Sequence, residues 1–84
     1  MPQIEIYSTR ICPYCVQAKR LLKHKGVEWK EFMITSQAEM QAMMQRSQRR
    51  TVPQIFIDDY HVGGYDDLVA LNDAGKLDPL LGIK

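Results

Sequence analysis

The sequence predicts a single α/β domain over residues 1–84, with its elements in the order β-α-β-α-β-β-α. The first observation behind this prediction is that apolar residues recur at helical spacing in three segments. The second is that short strand-like runs separate these segments. The third is the length, because 84 residues bury only about 60–65% of their unfolded surface and support one modest core. No second domain is expected.

The first part of the chain predicts a strand, a helix and a second strand. Residues 4–7 form a short, mostly apolar run, and residues 8–11 leave it as a loop. A helical pattern starts at Pro13 and ends at Gly26, a favoured residue after a helix. Residues 27–34 alternate apolar and polar side chains as a second strand does. Together these elements predict a right-handed βαβ unit, with the loop at the sheet edge where ligands bind in α/β folds.

The second part predicts a helix, a hairpin and a last helix. Residues 36–39 have the pattern of a capping box, which starts the second helix. Residues 54–57 and 60–62 predict a β-hairpin around the acidic turn Asp58-Asp59. A third helix begins at the acidic pair 66–67, and the leucines after it predict a short terminal turn.

Composition and charge limit the possible partners. The net charge is +1, so there is no broad basic field and no nucleic-acid partner is expected. The N-terminus lacks the features of a signal peptide, and no apolar run reaches the ~18 residues of a membrane span. We therefore expect a cytoplasmic monomer without membrane association. In a reducing compartment, cysteines spaced three apart are more often redox-active or metal-binding than structural.

The stretch Cys12-Pro13-Tyr14-Cys15 holds the only two cysteines and lies where a strand gives way to a helix. A helix N-terminus presents free N–H groups and a partial positive charge, which stabilise a thiolate at Cys12. Pro13 suits the first helical turn, and Arg10 adds positive charge nearby. The pKa of the Cys12 thiol is therefore expected within ~3.5–7.5, which makes Cys12 the candidate nucleophile.

Cys15 follows on the same helix face, at an expected Cα separation of about 5–6 Å that suits a disulfide. Because it lies one turn inside the helix, it is the candidate resolving thiol. Two other interpretations stay open: half of a zinc site, and a pair of inert core cysteines. Only His24 and His61 could complete a zinc site, and neither has ligand spacing to the cysteines, so no metal is expected.

Two further stretches are candidates for ligand binding. In Thr51-Val52-Pro53, the proline directly precedes a strand, where it removes an N–H from the ladder. In the stretch from Gly63 to Asp67, a glycine pair and a helix start suit a ligand with both charges, such as an amino-acid head group. A turn followed by an acidic N-cap is the alternative there. Basic residues near the end of the second helix either reach a ligand carboxylate or complement the helix dipole: Arg46, Arg49 and Arg50.

These three blocks, in this order and spacing, resemble a dithiol glutaredoxin of the compact bacterial type over the whole chain. The resemblance implies a thioredoxin fold, which is a four-stranded mixed sheet flanked by three helices. It implies a glutathione-dependent thiol–disulfide oxidoreductase, active on protein disulfides and glutathione mixed disulfides. Glutathione would be a co-substrate, no cofactor would be tightly bound, and disulfide-containing or glutathionylated proteins would be the partners.

The resemblance also implies roles for individual residues. Cys12 would attack and Cys15 would resolve, supported at the redox site by Arg10, Pro13, Tyr14 and a cis Pro53. Glutathione would be bound by residues of all three blocks: Tyr14, Thr51, Val52, Pro53, Gly64, Tyr65, Asp66 and Asp67, with Arg49 as a further candidate.

Two positions depart from the family pattern. Thr9 stands where the family commonly has Lys or Arg, and Tyr65 stands where many relatives have Cys. Two alternative functions compete with glutathione-dependent reduction. One is a glutaredoxin-like electron donor reduced by thioredoxin reductase, against which Asp66, Asp67 and the arginines argue. The other is an iron–sulfur scaffold, which the residues between the cysteines disfavour.

Overall fold

The computed structural model describes residues 2–83, which form a four-stranded sheet with helices on both faces. The elements follow each other in this order: β1 Ile4–Ser8, α1 Pro13–His24, β2 Lys30–Met33, α2 Gln37–Ser47, β3 Gln54–Ile57, β4 Tyr60–Gly63, α3 Tyr65–Asp73 and α4 Leu77–Leu81. None of the helices within the described part of the chain has the length and apolar composition to cross a membrane.

The sheet is mixed, with the strand order β2-β1-β3-β4. β1 pairs in parallel with β2 and antiparallel with β3, and β3 pairs antiparallel with β4. The parallel pair requires a crossover, which α1 supplies. The predicted fold class is therefore confirmed, with the βαβ unit and the hairpin meeting at the centre of the sheet.

Side-chain alternation along the strands divides the core between the two faces of the sheet. On one face, Ile4 and Ile6 of β1 lie beside Ile57 and Ile55 of β3, and this cluster continues into α1, α3 and α4. On the other face, the guanidinium of Arg46 in α2 lies 3.9 Å from the centre of the Phe56 ring and bonds to Glu5 and Tyr7. The two helices α1 and α3 therefore share a face and place their N-termini close together.

Two elements differ from the sequence-based expectation. β2 begins at Lys30 and not at residue 27, because its ladder with β1 starts at the pair Glu5 and Lys30. Val27 is buried instead in the turn after α1, where its N–H donates to the Leu22 carbonyl. The leucines expected in a terminal turn form a fourth short helix, α4, in which Leu77 and Leu81 are fully buried.

Candidate active site

The Cys12-Pro13-Tyr14-Cys15 stretch lies at the start of α1, as predicted. Cys12 is the N-cap, and its sulfur accepts a hydrogen bond of 3.1 Å from the backbone N–H of Cys15. Pro13 is the first helical residue, where a missing N–H costs nothing. The two cysteines form a disulfide with a Cα separation of 5.2 Å. This position exposes the Cys12 sulfur to the field of the helix start.

Cys12 is more exposed to solvent than Cys15, as their positions in the helix predict. Cys12 retains 9% of its surface and Cys15 only 1%. The residues around Cys12 are open to solvent, with Ile11 92% and Tyr14 59% exposed. Cys12 therefore lies beside an open surface, whereas Cys15 is enclosed by the fold.

The loop Thr51-Val52-Pro53 lies directly beside Cys12. The Val52–Pro53 peptide bond is cis, as the resemblance implies. The Cys12 sulfur lies 3.8 Å from the carbonyl oxygen of Val52. Pro53 is buried at the entrance to β3. The loop backbone therefore forms one wall beside the reactive sulfur.

A pocket of about 310 Å³ opens between this loop and the start of α3. The rings of Tyr14 and Tyr65 stack at one side of it, with centroids 6.2 Å apart. All the residues implied for glutathione binding line the pocket: Tyr14, Arg49, Thr51, Val52, Pro53, Gly64, Tyr65, Asp66 and Asp67. The fold thus brings three separate stretches of the sequence to one concave surface next to Cys12.

Asp67 is the most connected side chain of the pocket. One of its carboxylate oxygens, Oδ2, accepts from the Gly64 N–H at 2.9 Å and from Nη1 of Arg49 at 2.8 Å. These two donors, with the Gly64 N–H first, hold the pKa of Asp67 below its ordinary value. Gly64 is the N-cap of α3 and the acidic residues Asp66 and Asp67 lie in its first turn, so the alternative of an acidic N-cap is wrong. The pocket therefore presents a fixed negative charge and a cation side by side.

The other basic candidates lie outside this pocket. Arg46 is committed to the far face of the sheet, where it pairs with Glu5 at 2.7 Å. Arg50 and Arg10 are exposed and are absent from the pocket lining. Of the three arginines near the end of α2, only Arg49 faces the candidate ligand site.

A buried polar network behind the loop was not foreseen from the sequence. The Gln54 side chain is fully buried, and its Nε2 donates to the Thr51 carbonyl at 2.9 Å. Its Oε1 lies 2.7 Å from Nε2 of His61, so the histidine donates from that nitrogen. The sequence raised His61 only as an unsuitable zinc ligand, and the structure shows that it is a half-buried hydrogen-bond partner. The available signal was Gln54, because a polar residue in an otherwise apolar strand needs a buried partner.

The environment of His61 predicts a dependence of stability on pH. Burial, followed by the charge of Arg49, lowers the pKa of His61 below its ordinary value. The unfolded chain therefore takes up this proton first as the pH falls below about 6.5, and folding stability decreases over the window between the two pKa values. The carboxylate of Asp67, whose pKa is also lowered, contributes stability that is lost only at a lower pH.

We expect a His61→Gln variant to show a flatter dependence of unfolding free energy on pH between pH 7 and pH 5 than the wild type. Glutamine retains a donor for Gln54 but does not titrate. Urea unfolding at a series of pH values measures this slope. Below pH 4 the two proteins should lose stability in parallel, since Asp67 is present in both. An unchanged slope between pH 7 and pH 5 would contradict the assignment to His61.

Within residues 2–83, no three His, Cys, Asp or Glu side chains come together in a way that could hold a metal ion. What the structure does bring together is a mixed four-stranded sheet, a Cys-x-x-Cys pair at the start of a helix and a cis-proline loop beside it. This combination of fold and site defines the thiol–disulfide oxidoreductases of the thioredoxin fold.

Comparisons with known proteins identify the family within this class. The glutaredoxin family profile matches residues 4–62. The chain is 54% identical over 82 residues to glutaredoxin 3 of Escherichia coli strain K12, covering 96% of this chain and 99% of that protein. The chain belongs to the glutaredoxin family, and it is a thiol–disulfide oxidoreductase. The resemblance stated from the three sequence blocks is therefore confirmed.

Solved structures agree with this assignment. The solution structure of glutaredoxin from Brucella melitensis is 50% identical, has a TM-score of 0.86, and is matched over 96% of this chain and 89% of that one. A crystal structure of a buckwheat glutaredoxin–glutathione complex is 28% identical with a TM-score of 0.87, matched over 96% of this chain and 77% of that one. The fold is therefore shared with both bacterial and plant glutaredoxins.

Proposed function

We propose that this glutaredoxin draws its electrons from glutathione to reduce protein disulfides and glutathione mixed disulfides. The observation that carries the proposal is the pocket beside Cys12, in which Asp67 and Arg49 offer opposite charges to one small ligand. Glutathione is a peptide that carries carboxylates and an amino group, and it matches this pair of charges. The complex named for the buckwheat glutaredoxin supports the same ligand for this chain.

The proposed binding mode uses all three stretches of the pocket. The backbone of Val52 pairs with the cysteinyl part of glutathione, beside the Cys12 sulfur. The start of α3, from Gly64 to Asp67, holds the γ-glutamyl end through its N–H groups and its carboxylates. Tyr14 flanks the bound peptide, and Arg49 receives a ligand carboxylate. Together these contacts place the ligand sulfur near Cys12 and orient it for reaction.

The proposed chemistry is a sequence of thiol–disulfide exchanges. The Cys12 thiolate attacks one sulfur of a substrate disulfide, and the other sulfur leaves with the bonding electron pair and takes up a proton. Cys15, as a thiolate, then attacks the Cys12 sulfur, which forms the Cys12–Cys15 disulfide and releases the second substrate thiol. Two glutathione molecules reduce this disulfide in turn and leave as glutathione disulfide. For a glutathionylated substrate, Cys12 alone completes the first exchange.

The source of electrons is tested by two coupled assays. We expect turnover of a glutathionylated peptide with glutathione, glutathione reductase and NADPH, and no turnover with thioredoxin reductase and NADPH in the absence of glutathione. Oxidation of NADPH measures both. Turnover with thioredoxin reductase alone would favour the rival electron donor and overturn the proposal.

The ligand site is tested by an Asp67→Asn variant, which keeps the size of the side chain and removes its charge. We expect KM for a glutathionylated peptide to rise about tenfold, with kcat nearly unchanged, because a charge-assisted contact to the ligand amino group is lost. Steady-state kinetics at fixed glutathione concentration separates the two parameters. Asp73→Asn, at the other end of the same helix, is the matched control and should keep the wild-type KM. An unchanged KM for Asp67→Asn would refute the proposed binding mode.

A further inference from the structure

A second surface feature lies outside the candidate ligand site. It is an open groove of about 650 Å³ along the outer face of α1, which ends at the start of α3. We define this basic groove by its lining residues: Gln17, Arg20, Leu21, Lys23, His24 and Tyr65. Of these residues, only Tyr65 also lines the pocket beside Cys12.

The basic groove carries positive charge that the described part of the chain does not neutralise. Within residues 2–83, Arg20 and Lys23 are exposed and have no carboxylate within ion-pair distance. The neighbouring lysines on the same stretch differ, because Lys19 pairs with Glu31 and Lys25 pairs with Asp78. No Asp or Glu lines the groove. Arg20 and Lys23 therefore give this face of α1 two unpaired positive charges.

The basic groove adjoins the pocket beside Cys12, and Tyr65 lines both. Tyr65 separates the two concavities and stacks on Tyr14, which lies two residues after Cys12. Cys12 and Lys23 are about 16 Å apart along the helix axis, at 1.5 Å per residue. An extended polypeptide covers that distance with about five residues. A protein substrate whose disulfide lies at Cys12 is therefore long enough to reach both Arg20 and Lys23, whereas glutathione is not.

We propose that the basic groove binds an acidic segment of the protein substrate, located within about five residues of the cysteine whose disulfide Cys12 attacks. This inference rests on the proposed function, since it concerns how that function selects among protein substrates. A protein segment is favoured over nucleic acid, because two unpaired cations on one helix offer a local contact and no extended track for phosphates. Lys23 also lies in the last turn of α1, where it complements the helix dipole, and that contribution affects stability alone.

The test compares two synthetic peptides with one glutathionylated cysteine each. In the acidic peptide, glutamates occupy the five positions on both sides of the cysteine, and in the neutral peptide, glutamines replace them. We expect the wild type to show a kcat/KM about fivefold higher for the acidic peptide than for the neutral peptide at low ionic strength. Two exposed ion pairs, with Arg20 and Lys23, account for a preference of this size. The preference should fall as salt is added, because exposed charges are screened.

The double variant R20Q/K23Q is expected to lose this preference and to keep the wild-type kcat/KM for the neutral peptide. The matched control K30Q/K76Q removes the same charge from exposed lysines outside the groove and should keep the preference. Thermal unfolding of each variant shows whether the protein has lost stability. Turnover of the neutral peptide is a second control, because a destabilised variant would lose that activity as well.

Turnover of the neutral peptide by the wild type reports the proposed function, and the ratio between the two peptides reports the groove. Equal kcat/KM values for both peptides in the wild type would overturn the inference and leave the proposed function intact. A preference that survives in R20Q/K23Q, or that disappears equally in K30Q/K76Q, would also overturn it. The inference would also be overturned if a single-stranded oligonucleotide inhibits the wild type and not R20Q/K23Q while the wild type shows no preference for the acidic peptide.

Discussion

A Cys12→Ser variant is expected to lose all reductase activity, by about 10³-fold or more, whereas Cys15→Ser should retain removal of glutathione from a glutathionylated peptide. The reason is positional. Cys12 caps α1 and is the more exposed cysteine, while Cys15 is 1% exposed and is bonded to the Cys12 sulfur. An exchange with a glutathionylated substrate needs one thiol, and glutathione itself can resolve the intermediate.

The two activities of Cys15→Ser should therefore separate. Reduction of a protein disulfide that needs both thiols should fall to the level of Cys12→Ser, because the mixed disulfide at Cys12 has no internal thiol to resolve it. Mass spectrometry should detect Cys12 of the Cys15→Ser variant joined to the substrate. Each variant is the control for the other, since both exchange one sulfur for oxygen. Equal loss of both activities in Cys15→Ser would contradict this division of roles.

Gly63→Ala is expected to lower the unfolding free energy by about 3 kcal/mol and to weaken glutathione binding. Gly63 is buried with φ +110, a conformation that residues with a Cβ rarely adopt. An added Cβ would also lie 2.8 Å from Cγ of Asp67 and force that side chain to move. Displaced from its place, Asp67 would lose its bonds to the Gly64 N–H and to Arg49.

The two causes are separated by Gly26→Ala. Gly26 also has a positive φ, +78, but an added Cβ there meets no atom within 4 Å. We expect this control to cost about 1–2 kcal/mol from the backbone alone and to keep the wild-type KM for glutathionylated peptide. Urea unfolding and steady-state kinetics measure both effects. If Gly63→Ala and Gly26→Ala lower the unfolding free energy equally, the contact with Asp67 makes no contribution to the destabilisation.

Local signals in the sequence were sufficient for most of the fold. Helix α2 starts where the capping box predicts, with Ser36 accepting from the Glu39 N–H at 3.2 Å. Gly26 adopts a positive φ just beyond α1. The cysteine pair spans 5.2 Å, within the expected separation. Each of these features depends on residues a few positions apart, whose chemistry fixes the local backbone whatever the rest of the chain does.

Features that join distant segments were harder to predict. The pairing of Gln54 with His61 and of Arg49 with Asp67 depends on the geometry of the assembled sheet, which apolar periodicity does not encode. The start of β2 at Lys30 depends on where β1 offers a ladder partner. For the candidate site, family resemblance was sufficient to select the residues that line one pocket, although they come from three separate stretches of the chain.

The hydrogen bond that starts α1 also bears on how readily this protein accepts electrons. The Cys15 N–H donates to the Cys12 sulfur, and such a donor binds a negatively charged sulfur more strongly than an uncharged one. The same contact is therefore worth more in the dithiol state, with Cys12 ionised, than in the disulfide state. By thermodynamic linkage, it raises the reduction potential of the cysteine pair and makes its disulfide a better electron acceptor. The backbone of one helix turn thus helps to set the direction in which electrons flow between this protein and the thiols around it.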